Sequence, residues 1–292
     1  MRVGLLVTHI RAEEKALIAA FEAAGVQPDV ILDRDVNIDL NAGAGQIAPS
    51  GYAWSDYGLI VERCVSTSRG LYLLAVFATW GIPTVNDYQT AAVCADKVRT
   101  TLALAEQGIA QPQTRLAFTP DSAIEAIEAV GYPAVLKPAT GSWGRLLARV
   151  NDRESAEAII EHRQTLGDYN HHTYYVQAYV AKPQRDIRAF VVGDQTVCAI
   201  YRHAEHWITN TARGGSASNC AVTPELDAIC RSAARAVGGG VLAVDLLETP
   251  AGDLLVNEIN HTMEFRNSSA PTGVDIAQVA VAYMLEQMRV IA

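Results

Sequence analysis

The 292-residue chain has no apolar run long enough to cross a membrane. Its opening MRVGLLVTHI meets charge at Arg11 and reads as a first strand rather than as a span or a signal peptide. Cysteine is sparse: Cys64, Cys94, Cys198, Cys220 and Cys230 are an odd, scattered set without CxxC spacing. That excludes a disulfide framework and fits reduced, mostly buried thiols of a cytoplasmic protein. No GxGxxG follows the first strand, so a dinucleotide site has little support. His171-His172 and His203-Ala-Glu-His206 have neither an HExxH pattern nor nearby cysteine pairs, which leaves zinc little support. Positive charge is also short, with 23 Lys and Arg against 32 Asp and Glu for a net −9. An acidic body argues against a general nucleic-acid surface but leaves room for a local basic cleft. There is no internal repeat and no low-complexity tail.

What is present is a globular composition, half hydrophobic and only 19% charged, with room for two or three modules. Arg2 to Thr8, Glu13 to Ala24 and Val30 to Leu32 read as strand, helix and strand. Tyr57 to Glu62, Ser68 to Trp80 and Thr84 to Asn86 repeat the pattern, which predicts a doubly wound parallel domain over 1–86. Asn41 to Gly51, rich in Gly, Ala and Pro, reads as a mobile surface loop. Residues 87–112 form a helical connection in which Asp96 caps the helix that starts at Lys97. Residues 113–177 read as a compact α+β lid, and 178–292 as a mixed-sheet domain closed by a helix from Asp275 to Met288. Trp207 to Asn219 reads as a loop.

The stretch VLAVDLLETPAGDLLVNEIN, Val241 to Asn260, forms two apolar strands around a tight turn. Side chains alternate along a strand, so Glu258 and Asn260 share a face. A four-residue loop from Pro250 to Asp253 would pair Thr249 with Leu254 and set Asp245 opposite Glu258. Two close carboxylates between apolar neighbours repel unless a cation joins them. Hard oxygen ligands of this kind suit Mg²⁺.

Other residues carry chemistry less specifically. Lys137 ends a strand just before the loop Gly141-Ser142-Trp143-Gly144-Arg145, an order unlike a Walker loop but suited to phosphates. Lys97 stands in the first turn of a helix. Asp186, Arg188 and Arg202 are charges in otherwise apolar strands, a sign of a lined cleft. The loop Thr209 to Asn219 is small and polar around Arg213 and suits an anion or a covered substrate.

Taken in order, Lys97, Lys137, Gly141 to Arg145, Asp245, Glu258 and Asn260 resemble the ATP-grasp ligases, across more than half the chain. The segments ERCVSTSRG, LKPATGSWGRLLARV, RDIRAFVVGD, WITNTARGG and NEINHTMEFRNS are similar to the RimK-like branch and, within it, the LysX type. The resemblance implies an ATP-grasp fold. It implies ATP held by Lys97, Lys137, Gly141, Ser142, Trp143, Gly144, Asp186 and Arg202, with the adenine against Gln177, Ala178, Tyr179 and Val180. Ala178 stands where the family commonly has glutamate, which bears on nucleotide affinity. Mg²⁺ is implied on Asp245, Glu258 and Asn260. Arg202 and Lys137 would carry the transferring charge, and the substrate residues would be Arg188, Asn210, Thr211, Arg213, Arg266, Ser68 and Arg69. Enzymes of this type join α-aminoadipate to the C-terminal glutamate of the acidic carrier LysW, in lysine biosynthesis, and often form dimers or tetramers.

The rival readings are glutamate ligation to a carrier in arginine biosynthesis, or glutamylation of a ribosomal protein. A one-methylene difference separates such substrates only modestly. A scaffold without turnover would be expected to have lost a metal ligand, and none is missing. Approach of an acidic carrier to an acidic enzyme requires a local reversal of field. Arg63, Arg69, Arg185, Arg188, Arg202, Arg213 and Arg266 are expected to line or rim a positive mouth.

Overall fold

The computed structural model describes residues 2–141, 146–167, 172–209 and 215–291. Strands β1 (Arg2–Val7), β2 (Asp29–Leu32), β3 (Tyr57–Arg63) and β4 (Thr84–Val85) form a parallel sheet in the order β2-β1-β3-β4. Helices α1 (Ala12–Ala23) and α2 (Thr67–Thr79) cover its two faces. The alternation of β1 divides the cores. Val3, Leu5 and Val7 face α1 and the C-terminal part of the chain, while Leu6 joins Ile31, Trp54, Ile60 and Phe77 on the other side. The segment 41–51 carries neither helix nor strand, as expected of a surface loop, and is tied back on itself. The Gln46 amide nitrogen donates to the Asp39 and Gly43 carbonyls, and Ala48 is buried beside Trp54.

The helices α3 (Tyr88–Cys94) and α4 (Lys97–Glu106) follow, and the Asp96 carboxylate accepts from the Val98 and Arg99 amides as the capping pattern predicts. The central module has strands β5 (Thr114–Ala117), β6 (Ala134–Lys137), β7 (Ala148–Val150) and β8 (Tyr174–Ala178) in the antiparallel order β5-β8-β6-β7. Helices α5 (Pro120–Val130) and α6 (Arg153–Leu166) pack on it around Ile127, Leu136, Ile160 and Tyr174.

The last sheet has the order β11-β10-β9-β12-β13, from β9 (Arg185–Val192), β10 (Gln195–His203), β11 (Ser216–Cys220), β12 (Val241–Glu248) and β13 (Leu254–Asn260). Expected as mixed, it is antiparallel at every pairing. The edge strand β11, SASNC, begins within the segment read as a loop and ends one residue beyond it. Its small polar residues lack the apolar alternation that marks a strand, and it is defined by pairing with β10. Helix α7 (Pro224–Ala236) covers one face through Leu226, Cys230 and Ala233. On the other, Phe190, Ile200 and Ala243 merge with Leu5, Phe21 and Val61 of the first domain and with Ala280 and Met284 of α9 (Ile276–Ile291). A short α8 (Ser269–Thr272) precedes α9.

One side chain fastens the two domains. The Asn86 amide nitrogen donates to the carbonyls of Val241 (2.9 Å) and His261 (2.6 Å), and its oxygen accepts from the Val241 amide (2.7 Å). It therefore holds the start of β12 and the exit of β13 together. Gly240 lies at φ +107, and a Cβ there would overlap the Asn86 oxygen. Asn86→Ala strands three backbone groups, two of them in buried hydrogen bonds, and is expected to cost about 2–3 kcal/mol of stability. Urea denaturation checks it: the midpoint should fall with the slope unchanged.

Candidate functional site

The site arises where one face of the last sheet changes from apolar to charged. Along β9 the residues of this face run Val192, Phe190, Arg188, Asp186, and along β12 they run Val241, Ala243, Asp245. The apolar ends belong to the shared core and the charged ends open into a cleft. The opposite face, with Ile187, Ala189, Val244 and Leu246, belongs to the apolar cluster that includes α7 and residues of α3 and α4. β12 is thus buried on both sides, as its uninterrupted apolar sequence predicts.

Asp245 does pair with Glu258, but by a different route from the expected one. The turn is one residue longer than predicted, since Glu248 rather than Thr249 stands opposite Leu254. The Thr249 amide bonds the Asp253 carbonyl across it. A bulge then leaves Asn257 as the extra residue between the Leu246–Val256 and Asp245–Glu258 pairs, restoring the register. The bulge also lets two successive side chains, Asn257 and Glu258, reach the same cleft.

Around Asp245 lies an alternating chain of charges. Arg188 grips it with two bonds, Nε to Oδ1 at 2.7 Å and Nη2 to Oδ2 at 2.8 Å. Arg202 reaches Oδ2 at 3.2 Å and bonds the Asp186 carboxylate at 2.6 Å. Asp186 in turn bonds the Thr209 hydroxyl and lies 3.4 Å from Lys182 Nζ. Burial pushes the Asp245 carboxyl upward, but the two guanidinium groups outweigh it and hold the group down at about 2. The same balance raises Arg202, whereas burial lowers Lys182 despite Asp186.

Across the cleft, Lys137 donates to the Asn257 side-chain oxygen at 2.8 Å. Burial lowers its ammonium to about 8, with Glu258 pulling upward and Lys97 and Lys182 pressing further down. Lys97 Nζ donates to the Gly141 carbonyl at 2.8 Å and stands 3.5 Å from Glu258. The cleft encloses about 810 Å³, open mouth included. Val135, Leu147, Ala178, Tyr179, Trp207, Ile208 and Leu247 supply an apolar lining, an apolar slot beside the charges. A second cavity, of about 910 Å³, shares Arg188, Glu258 and Asn260 with it. Its far wall is Arg11, Cys64, Val65 and Thr67, just beyond the carboxyl ends of β1 and β3.

The structure gathers Lys97, Lys137, Gln177, Ala178, Tyr179, Val180, Asp186, Arg188, Arg202, Asp245, Glu258 and Asn260 around the first cleft and its edge. Gly141 lies on the second cavity, and Arg266 joins Arg188 and Arg202 around a smaller recess. Ser68 and Arg69 are exposed and line neither cavity. Ser68 bonds Ser66, and Arg69 lies 3.6 Å from Asp33. Ser142, Trp143, Gly144, Arg145, Asn210, Thr211 and Arg213 lie outside the described residues.

The expected positive mouth needs correction at three arginines, of which Arg69 lies outside both cavities. Arg63 is buried against Glu14 and the Met263 carbonyl. Arg185 bonds Glu248 and stacks on Tyr201, because one step of strand parity turns it to the face opposite Asp186. Lys182, Asn257 and Arg11 were missed. Arg11 was accessible in principle, since ligands of open α/β sheets gather beyond strand carboxyl ends. Lys182 sits in a connection without strand pattern, and Asn257 depends on the bulge.

Among the described residues no group of three or more His, Cys, Asp or Glu could hold a metal. Asp245, Glu258 and Asn260 do fit Mg²⁺ as a partial, hard-oxygen set that other oxygens would complete. Among the described residues the buried Asn260 amide nitrogen has no hydrogen-bond partner. Asp245 is the qualified member, because guanidinium groups engage both of its oxygens.

Residues 3–93 match the LysX preATP-grasp domain, and residues 94–284 match the RimK-like ATP-grasp domain. A glutamate–LysW ligase ArgX from Sulfolobus acidocaldarius is 32% identical, covering 97% of this chain and 98% of that one. An α-aminoadipate–LysW ligase LysX from Saccharolobus solfataricus is 34% identical over 88% of this chain and 91% of that one. Among solved structures, a RimK domain ATP-grasp protein from Sphaerobacter thermophilus superposes with a TM-score of 0.79 at 28% identity, covering 97% of this chain and 99% of that one. These matches agree with the geometry of an apolar slot beside an oxygen-ligand and cation cluster. The chain belongs to the RimK-like ATP-grasp family, whose members use ATP and Mg²⁺, and it is an ATP-dependent ligase that forms carbon–nitrogen bonds.

Proposed function

We propose that the enzyme transfers the γ-phosphoryl group of ATP to the C-terminal glutamate of a LysW-type carrier protein, releasing ADP, and that the amino group of α-aminoadipate then attacks this acyl phosphate, forming the amide and releasing phosphate. The observation that carries this reading is the meeting of two cavities at Arg188, Glu258 and Asn260. One has the apolar slot and cations of a nucleotide site, and the other opens beyond the N-terminal strands, with space for the two reacting acids. Five cations, Lys97, Lys137, Lys182, Arg188 and Arg202, face three carboxylates, Asp186, Asp245 and Glu258. The local excess is positive on a protein of net −9, the sign needed by a triphosphate and by acidic substrates.

In this reading the adenine lies in the slot between Gln177–Val180 and Leu247, and Ala178 serves through its backbone. Lys97, Lys137 and Arg202 neutralise charge on the transferring phosphoryl group, with Asp186 and Lys182 holding Arg202 and the root of the covering segment at Thr209. Asp245, Glu258 and Asn260 would hold Mg²⁺, which would supply charge neutralisation at the phosphates. Arg188 and Arg266 take substrate carboxylates, for which the guanidinium fork is suited. A second reading, glutamate as the amino acid, draws support from the 32% identity to the ArgX ligase over nearly the whole chain. Mass spectrometry of the carrier after reaction with equal amounts of both amino acids separates the two. We expect the adduct of α-aminoadipate, and the glutamate adduct would reverse the assignment.

Glu258→Gln removes a charged ligand without disturbing the arginine pairs on Asp245. ADP formation is expected to fall roughly 100-fold or more with the fold intact, and unchanged turnover would contradict the metal assignment.

Lys137 gives a pH prediction. Its folded value of about 8 lies below the ordinary 10.5, so the folded protein loses this proton first as pH rises. The cost of burying the charge is fully present below about 8 and is relieved between there and 10.5, so this group's contribution to stability rises over that window. Nucleotide affinity moves the other way and should weaken above about 8 as the cation is lost. Titration calorimetry in buffers of different ionisation heat should show proton uptake on nucleotide binding there. Lys137→Met should bind more weakly, with no such uptake. Affinity that stays flat through this range in the unaltered protein would rule the role out.

A further inference from the structure

Arg188 occupies an unusual junction. It borders the nucleotide cleft, the second cavity and the recess with Arg266, and it is the bidentate partner of Asp245. Its neighbour Arg202 is more deeply placed, with 6% of its side chain exposed against 15% for Arg188, and has a second anchor in Asp186. Among the described residues the Arg188 guanidinium bonds only Asp245. Of the two cations on Asp245, Arg188 is therefore the one with freedom to leave and open space to enter. The pair also answers a problem of the fold. Asp245 stands opposite Glu258 in register and is buried, so without a cation its charge would be costly to keep.

We propose that Arg188 is a placeholder cation: it neutralises Asp245 when no divalent ion is bound, and yields that carboxylate when one binds, turning its guanidinium to a carboxylate of the acid substrate. This rests on the assignment of Asp245 as a metal ligand. The arrangement makes the two events one equilibrium. While Arg188 holds Asp245, neither the cation nor the substrate has its full set of partners, and once released it serves the substrate. Metal affinity and acid-substrate affinity must then strengthen each other by the same factor. The role is one of positioning, and it carries an unusual sign, because deleting a merely structural partner of a ligand weakens metal binding, whereas deleting a competitor strengthens it.

The test is Mn²⁺ binding, followed by loss of the free-ion electron paramagnetic resonance signal, with ADP at saturation and no turnover. Arg188→Gln is expected to bind Mn²⁺ roughly tenfold more tightly than the unaltered protein, and Asp245→Asn roughly tenfold more weakly. Arg188→Lys keeps the charge but loses the fork, so its affinity should fall between those of the unaltered protein and Arg188→Gln. This variant also serves if Arg188→Gln fails to fold. Adding α-aminoadipate or glutamate should tighten Mn²⁺ binding several-fold in the unaltered protein and not in Arg188→Gln. Equal or weaker Mn²⁺ binding in both Arg188 variants, with Asp245→Asn still impaired, overturns the placeholder and leaves the metal assignment standing. Unchanged affinity in Asp245→Asn overturns the metal assignment and the placeholder with it.

Discussion

A buried carboxylate that must stay ionised is the constraint around which the rest is arranged. Asp245 sits on β12, an interior strand of a five-stranded sheet, and its charge persists only because strands on one side present guanidinium groups to it. Those groups would be as costly as the carboxylate if buried alone, so Arg202 is matched by Asp186 and Asp186 by Lys182. Charges on one face of the sheet thus stabilise one another in sequence, from Asp245 on β12 through Arg202 and Asp186 to Lys182 at the edge of the cleft. Local pairing of this kind reconciles an acidic protein with a cleft that favours anions.

Much of this was legible because strands obey a period of two. Parity alone put Asp186 and Arg188 on one face and would have put Arg185 on the other. The continuous apolar run of β12 announced burial on both sides. The helix starting at Lys97 was marked by Asp96, whose carboxylate meets the amides that capping requires. The Asp245–Glu258 pair was anticipated for a reason only partly right, because a longer turn and the bulge at Asn257 offset each other. Two one-residue departures of opposite effect are invisible to a pattern argument.

What stayed hidden depends on neighbours distant in sequence. That Arg188 meets Asp245 follows from β9 lying between β10 and β12, an order no local pattern encodes. The loss of Arg63 to Glu14 likewise needs α1 to lie against the carboxyl end of β3. Lys182 belongs to a connection whose role is set by where β8 and β9 leave it. The edge strand β11 carried too little apolar signal to be distinguished from the loop before it.

The division of the hydrophobic clusters has a mechanical meaning. The first sheet, the last sheet and α9 share one apolar cluster, so separating them would expose the interior of both. The central module has an apolar cluster of its own, and it meets the remainder through polar contacts such as Lys137–Asn257, Lys97–Gly141 and Thr101–Tyr175. Water can replace contacts of that kind at little cost, whereas it cannot replace shared apolar packing. Asp245 and Glu258 thus belong to a block fused to the first domain by a common interior, whereas Lys137 stands on a module whose interior is its own.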